Sequence, residues 1–292
     1  MNIFITGITG MLGMDVETEA LRRGYNVFGC GRTDMPNVHN YIQLDLTTDC
    51  HWQLVEIFRS NNINCVIHCA AYTNVDKAES DRETVLKANM DATAEVVEAA
   101  EKCGIPIIYI SSDYIYNSQD EKPIKEEDIY LAPNTYYGYT KYLGEQIVTN
   151  TTSKYYIVRT SWLFGYNGKN FVDTMLQLGR TKNKLQVVND QVGRPTYTED
   201  LAVMLLDMAE SDNYGTYNVT NSGPYISWYE FAKTIFKISN IDTPIAPVSS
   251  SFYAAPAKRP KNSRLNCDKV HKAGFRQMPN WEESLKNYLM KV

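Results

Sequence analysis

The chain has no long apolar run, no cysteine pair at ligand spacing and no surplus of one charge, and each absence removes a class of protein. No apolar stretch approaches the ~20 residues a membrane-spanning helix needs, so no membrane association is expected. Lys and Arg number 29 against 34 Asp and Glu, a net charge of −5 spread along the chain, and this argues against nucleic acid as a partner. The six cysteines, Cys30, Cys50, Cys65, Cys69, Cys103 and Cys267, form no Cys-x-x-Cys pair. Cys65 and Cys69 fall within the apolar run 65–70, so buried free thiols in a reducing compartment are expected. The four histidines, His39, His51, His68 and His271, are scattered without ligand spacing, and no metal site is read within the chain. There is no internal repeat or low-complexity tract, no basic leader pattern and no cleavage site, so a cytoplasmic location is the expectation.

What remains is ordinary globular material arranged with strong order. At 292 residues, 43% hydrophobic and 22% charged, the chain suffices for one large α/β unit or two lobes around one core. Its first 160 residues alternate short apolar runs with helix-period segments, the pattern of stacked βαβ units and a parallel sheet. Strands are expected at 2–6, 25–30, 64–69, 106–111 and 155–160, with a weaker one at 41–44. Helices are expected at 11–23, 51–60, 83–102 and 138–149, with Gly24 and Gly104 as stop signals. After Phe164-Gly165 the alternation fails. A helix near 170–180, a strand at 185–188, a helix at 198–210, a strand at 215–220 and a helix from about Ser227 precede an irregular, proline-rich stretch. The predicted architecture is a Rossmann-type doubly wound parallel sheet with a smaller C-terminal substrate-binding lobe. Residues 1–165 plus about 195–220 are assigned to the first, and about 166–194 and 221–292 to the second.

Gly7-Ile8-Thr9-Gly10-Met11-Leu12-Gly13 lies directly after the first strand and opens the first helix. Glycines at that junction allow a tight turn and close backbone approach to a pyrophosphate, whose charge the helix N-terminus stabilises. A nicotinamide dinucleotide is therefore expected. At the end of the second strand Arg32 precedes Asp34; Arg32 suits a 2′-phosphate, which favours NADP over NAD. Asp45-Leu46 is placed to reach an adenine ring. Ala70-Ala71-Tyr72-Thr73 follows the fourth strand and should pass under the cofactor.

Tyr137-Gly138-Tyr139-Thr140-Lys141 supplies a phenol and an ammonium on one helix face, since residues i and i+4 align. The preceding strand ends in Ser111-Ser112-Asp113, which adds hydroxyls at the same sheet edge. These groups suit carbonyl reduction: Ser112 holds the carbonyl, Tyr137 delivers the proton, and Lys141 is expected to lower the phenol pKa from ~10. A second Tyr-x-x-x-Lys, Tyr229 to Lys233, lacks a preceding hydroxyl-ended strand and reads as a packing helix. Ser111 reads as a backbone-satisfying residue.

These segments resemble the extended short-chain dehydrogenase/reductases, and within them the dTDP-4-dehydrorhamnose reductase family. The resemblance rests on Ala70-Ala71-Tyr72-Thr73-Asn74-Val75-Asp76-Lys77-Ala78-Glu79, Ser111-Ser112-Asp113-Tyr114-Ile115-Tyr116 and Arg159-Thr160-Ser161-Trp162-Leu163-Phe164-Gly165. Residues 190–196 and 259–265 add two later matches in the right order. It implies reduction of the C4 keto group of dTDP-6-deoxy-L-lyxo-4-hexulose to dTDP-L-rhamnose, with NADPH or NADH. By matching position Tyr137 is the proton donor, Lys141 its partner and Ser112 the carbonyl-binding hydroxyl. Asp113, Tyr114, Trp162, Thr73, Val75 and Arg259 are implied at the sugar nucleotide, with Lys258, Lys261 and Arg264 as further candidates for its diphosphate. Gly10, Met11, Leu12, Asp45, Leu46, Ala71, Tyr72 and Thr73 are implied at the cofactor. A homodimer is an assembly the resemblance allows. Two departures stand out: Ser112 replaces a threonine, and Asn117-Ser118 in the acidic loop 117–131 replaces an expected Asp-Gly. A nucleotide-sugar 4,6-dehydratase or epimerase and a non-catalytic NADP-binding regulatory subunit are the alternatives. Tyr114 stands where a dehydratase needs glutamate, which counts against elimination of water. Asp76, Lys77 and Glu79 read only as a solvated helix start.

Overall fold

The computed structural model describes residues 1–35, 40–118, 120–128 and 133–291. His39 and part of the expected loop 117–131 lie outside them. Six strands in chain order, β1 (Asn2–Thr6), β2 (Asn26–Gly31), β3 (Tyr41–Gln43), β4 (Cys65–His68), β5 (Ile107–Ser112) and β6 (Tyr155–Thr160), join the edge strand Gly215–Asn218 in one sheet. The order across the sheet is Gly215–Asn218, β6, β5, β4, β1, β2, β3, and every pairing is parallel. The strand order reverses between β1 and β4, which opens a crevice at their carboxyl ends, the place where doubly wound sheets bind ligands.

Helices cover both faces, so the central strands are apolar on both sides. Ile3 and Ile5 point to a core shared with Val16, Ala20, Leu201 and Leu205 from the helices Met11–Arg22 and Thr198–Ala209. Phe4 and Val66 point the other way, to Leu54, Phe58, Val96 and Ala100 from the helices His51–Ser60 and Ala92–Cys103. Each fully buried aliphatic or aromatic side chain of this kind contributes about 1.5–3 kcal/mol. A third cluster, with Phe164, Leu176, Phe231, Ile235, Trp281 and Leu285, forms the core of the smaller C-terminal lobe. Among the described residues no helix is long and apolar enough to cross a membrane.

The expected strands and helices lie within one or two residues of the observed ones up to Cys103, with one exception. The single helix expected at 83–102 is broken into Arg82–Leu86, a π-helical turn at Lys87–Asp91, and Ala92–Cys103. Asn89, within that turn, explains the break. Its amide accepts the Tyr72 N–H at 2.7 Å and donates to the Tyr72 carbonyl at 3.2 Å and to Thr140 Oγ1 at 3.0 Å. The proline-rich stretch also contains a strand, Ile245–Val248, paired parallel with Leu185–Val188. Pro247 is tolerated there because the pair has only two strands and leaves edges free.

Candidate active site

The glycine turn sits at the β1 edge of the crevice. Gly7 takes φ +63°, and a Cβ on it would lie 2.8 Å from the Ala70 backbone, so the turn and the end of β4 approach as only glycine permits. A Cβ on Gly13 would lie 2.2 Å from the Gly7 carbonyl oxygen, so the helix Met11–Arg22 seats on the turn only without a side chain there. Gly10 is exposed, and as N-cap it offers no side chain to the helix's first N–H groups. This open cradle fits a dinucleotide pyrophosphate. The buried Tyr72 hydroxyl, on the loop after β4, has no hydrogen-bond partner among the described residues.

The other residues expected at the cofactor fall along this edge in different states. Arg32 is exposed at the end of β2, and its charge helps hold the Asp45 carboxyl below the usual range, after the Thr47 N–H at 3.0 Å. Asp45 is exposed, while Leu46 is packed into the second core cluster and Leu12 into the first. The Leu12 and Leu46 side chains are thus committed to the core. Met11 packs towards Gly165 and Gly168, where the chain leaves the sheet domain. Ala70, Ala71 and Tyr72 are half-buried and Thr73 is exposed.

At the end of β5, Ser112 and Asp113 face the first turns of the helix Tyr136–Thr151. Ser112 Oγ donates to Asp113 Oδ1 at 3.0 Å and accepts the Tyr114 N–H at 3.2 Å; Ser263 Oγ donates to Asp113 Oδ2 at 2.5 Å. Burial lifts the Asp113 carboxyl to about 6 against these hydrogen bonds. The helix can reach this strand end because its third residue is Gly138, where a Cβ would lie 2.2 Å from the Tyr114 carbonyl oxygen. Thr135 caps the helix, its hydroxyl accepting the Gly138 N–H at 3.0 Å. The Tyr137 ring meets Tyr114 edge to face at 5.4 Å.

Burial pushes the Tyr137 phenol up to about 12, and the Ser112 hydroxyl beside it pulls the other way. This differs from the expected lowering by Lys141: loss of water is the largest influence on the phenol, and the nearby Asp113 carboxylate adds to the rise. Lys141 is 2% exposed, and burial draws its ammonium down to about 7. The ammonium sits 4.1 Å from the centroid of the Tyr109 ring, a cation–π seat that periodicity did not indicate. A neutral phenol is the form that gives up a proton. The Ser111 hydroxyl is buried without a partner among the described residues, so it does not satisfy backbone as expected.

Tyr114 also lines a cleft of about 950 Å³ that runs into the smaller lobe, with Phe171, Trp228, Gln191, Lys258, Arg259 and Lys261 on its walls. Aromatic, polar and cationic groups together suit a nucleotide-linked substrate. Trp162 stacks on Trp228 with ring centroids 3.6 Å apart. Its φ of +53° costs of order 1–3 kcal/mol in a non-glycine residue, strain of the sort concentrated at ligand sites. Val75 is half-buried after β4, and Arg259 pairs with Asp76 at 2.6 Å. The second copy of the pattern, Tyr229 and Lys233, lies on the helix Trp228–Ile238, with Lys233 exposed over the Tyr229 ring.

Sequence reasoning missed Ser263, Tyr109, Phe171 and Trp228 as parts of this region. Ser263 lies within the 259–265 match, so its signal was present without a partner to assign. Asp49, His51 and Glu95 also meet, their ligand-type atoms lying within 4.8 Å of one another. Glu95 is already engaged there, one carboxylate oxygen accepting the Cys50 and His51 N–H groups at 2.7 and 2.6 Å. That arrangement is a helix cap.

The seven-strand parallel sheet, the glycine cradle at its switch point and the Ser112, Tyr137 and Lys141 set define an extended short-chain dehydrogenase/reductase. Within that class the chain belongs to the dTDP-4-dehydrorhamnose reductase family: the family model of the RmlD substrate binding domain matches residues 1–292. It is 34% identical to the dTDP-4-dehydrorhamnose reductase of Sinorhizobium fredii, covering 97% of this chain and 95% of that one. It is 35% identical to the spore coat polysaccharide biosynthesis protein SpsK of Bacillus subtilis, over 98% of this chain and 96% of its relative. The crystal structure of a dTDP-4-dehydrorhamnose reductase from Clostridium acetobutylicum superimposes with a TM-score of 0.91 at 38% identity, covering 100% of both chains. That of the Bacillus anthracis enzyme, in complex with NADP, gives 0.90 at 37% identity over 100% of this chain and 99% of that one.

Proposed function

We propose that this chain reduces the C4 keto group of dTDP-6-deoxy-L-lyxo-4-hexulose to give dTDP-L-rhamnose, using NADPH. The observation that carries the reading is the meeting of Ser112 and Tyr137 at the end of β5, next to Tyr114 at the cleft. A nicotinamide held in the crevice would supply the hydride for the carbonyl carbon. Tyr137 gives its proton to the carbonyl oxygen, and its raised pKa keeps that proton in place until charge develops there. Ser112 holds the oxygen in line with the phenol, and Lys141 orients the ribose. Asp113, Tyr114, Val75, Thr73 and Trp162 shape the sugar site, and Arg259 meets the diphosphate.

For the cofactor, Gly7, Gly10 and Gly13, with the backbone of Met11 and Leu12, receive the pyrophosphate. Arg32 would hold the 2′-phosphate, Asp45 and Leu46 would border the adenine, and Ala70, Ala71, Tyr72 and Thr73 would pass beneath the dinucleotide. We assign residues 1–165 plus about 195–220 to cofactor binding and the rest to the substrate lobe. The product is an activated sugar for cell-surface polysaccharide, made in the cytoplasm by a homodimer, an assembly that light scattering would test. A dehydratase reading is disfavoured by Tyr114, which supplies no second carboxylate.

The test is NADPH oxidation, followed at the nicotinamide absorbance band with the dTDP-keto-sugar as substrate. Turnover by the wild type and its loss in Tyr137→Phe, with NADPH affinity kept, is the expected result. No turnover by wild-type protein that binds NADPH would refute the substrate, and an active Tyr137→Phe would refute the proton donor.

A further inference from the structure

The acidic residues after β4 are not a solvated helix start. Asn74 caps the short helix Val75–Ala78, its Oδ1 accepting the Lys77 N–H at 3.1 Å. From this one turn two carboxylates reach in different directions. Glu79 Oε1 accepts the Tyr136 N–H at 2.9 Å, at the N-terminus of the helix that carries Tyr137 and Lys141. Asp76 reaches across the cleft mouth to the substrate lobe. Arg259 Nη1 donates to its Oδ1 at 3.1 Å, Arg259 Nη2 to its Oδ2 at 2.6 Å, and the Ala257 N–H to Oδ1 at 3.3 Å. The chain separation across this fork is 183 residues.

The groups it orients face the cleft. Ala257, Lys258, Arg259 and Lys261 line it, a cationic stretch in a chain whose net charge is −5. Arg259 keeps about a third of its side chain exposed, and two of its donor groups are fixed by Asp76. A planar guanidinium held on one edge by a carboxylate presents its remaining donors in a set direction. Free in solvent, the same side chain would spread over many rotamers and lose that order on binding an anion.

We propose that Asp76 is a positioning residue for the substrate, holding the Arg259 guanidinium over the cleft so that it meets the diphosphate of a sugar nucleotide. Glu79 registers the same short helix against the catalytic helix, so the diphosphate and the reacting carbonyl are located from one rigid turn. The inference rests on the dTDP-sugar reading above.

Steady-state kinetics on wild type, Asp76→Asn, Arg259→Ala and the double variant test it. Asp76→Asn should raise KM for the dTDP-keto-sugar by about tenfold, with kcat within about twofold, as expected for lost orientation of a remote group. Its NADPH affinity, measured by fluorescence titration, should match wild type. In the Arg259→Ala background the Asp76→Asn change should add nothing to KM, because the carboxylate acts only through the guanidinium. An unchanged KM in Asp76→Asn, or effects that add in the double variant, would overturn the proposal. So would a joint fall of kcat, NADPH affinity and melting temperature, which marks a merely structural contact. If the wild type does not turn over the keto-sugar, the parent reading fails first. Calorimetric binding of dTDP then tests the pair by itself, and equal affinity in wild type and Asp76→Asn overturns it.

Discussion

Removing the Glu145 carboxylate should destabilise this protein more than its single side chain suggests. Glu145, one turn beyond Lys141, and Arg159, on β6, are 2% and 3% exposed. Arg159 Nε donates to Glu145 Oε1 at 2.9 Å and Nη2 to Oε2 at 2.7 Å, while Nη1 donates to the Tyr116 hydroxyl and the Glu126 carbonyl, both at 2.7 Å. Glu145→Ala leaves a buried guanidinium with two donor groups unfilled and no counter-charge, a loss of about 3–5 kcal/mol. In a chain of this size that corresponds to a fall in melting temperature of roughly 5–15 °C. The double variant Glu145→Met, Arg159→Met removes the charge along with its partner. It strands the Glu126 carbonyl, at about 1–3 kcal/mol, but the Tyr116 hydroxyl still donates to Asn218 Oδ1 at 2.9 Å. The double variant should therefore melt above the single one. Thermal melts by circular dichroism, run at two scan rates, distinguish the outcomes. A Glu145→Ala melt within about 2 °C of wild type, or a double variant below the single, would refute the reasoning.

Two further expectations concern the catalytic helix. Burial lowers Lys141 from 10.5 to about 7, so between those values the folded chain binds fewer protons than the unfolded one. Wild-type stability from this group rises as pH climbs from about 7 and is lost below it. Lys141→Met should then raise the melting temperature more at pH 6 than at pH 10 while abolishing reduction, and equal gains at both pH values would remove the buried-ammonium account. Gly138→Ala sets a Cβ 2.2 Å from the Tyr114 carbonyl oxygen, so the helix must withdraw from the end of β5. A cost of about 1–3 kcal/mol and a tenfold or greater loss of kcat are expected. Wild-type kcat in that variant would mean that the close approach is not needed.

The strands were legible because those buried on both faces must be short apolar runs, as Cys65-Val66-Ile67-His68 is. Tyr137 and Lys141 were legible because helix geometry alone puts them on one face, and the hydroxyl-ended strand before them marks which copy of the pattern matters. Asn89 shows the limit. Its three bonds reach residues 17 and 51 positions away, and no local period reports a helix broken by such contacts. The cleft wall is another case, since Phe171, Trp228 and Arg259 come from separate segments joined only by packing of the smaller lobe.

By itself the sequence determined the class of fold, the glycine turn and the shared helix face of Tyr137 and Lys141, because each depends on neighbours within a few residues. Tertiary structure alone decided the ionisation of Tyr137 and Lys141, which follows from burial, and the partners of Asp76 and Glu79, which lie on other elements. Desolvation and cross-cleft contacts are properties of a packed interior, and they exist only once distant segments have met.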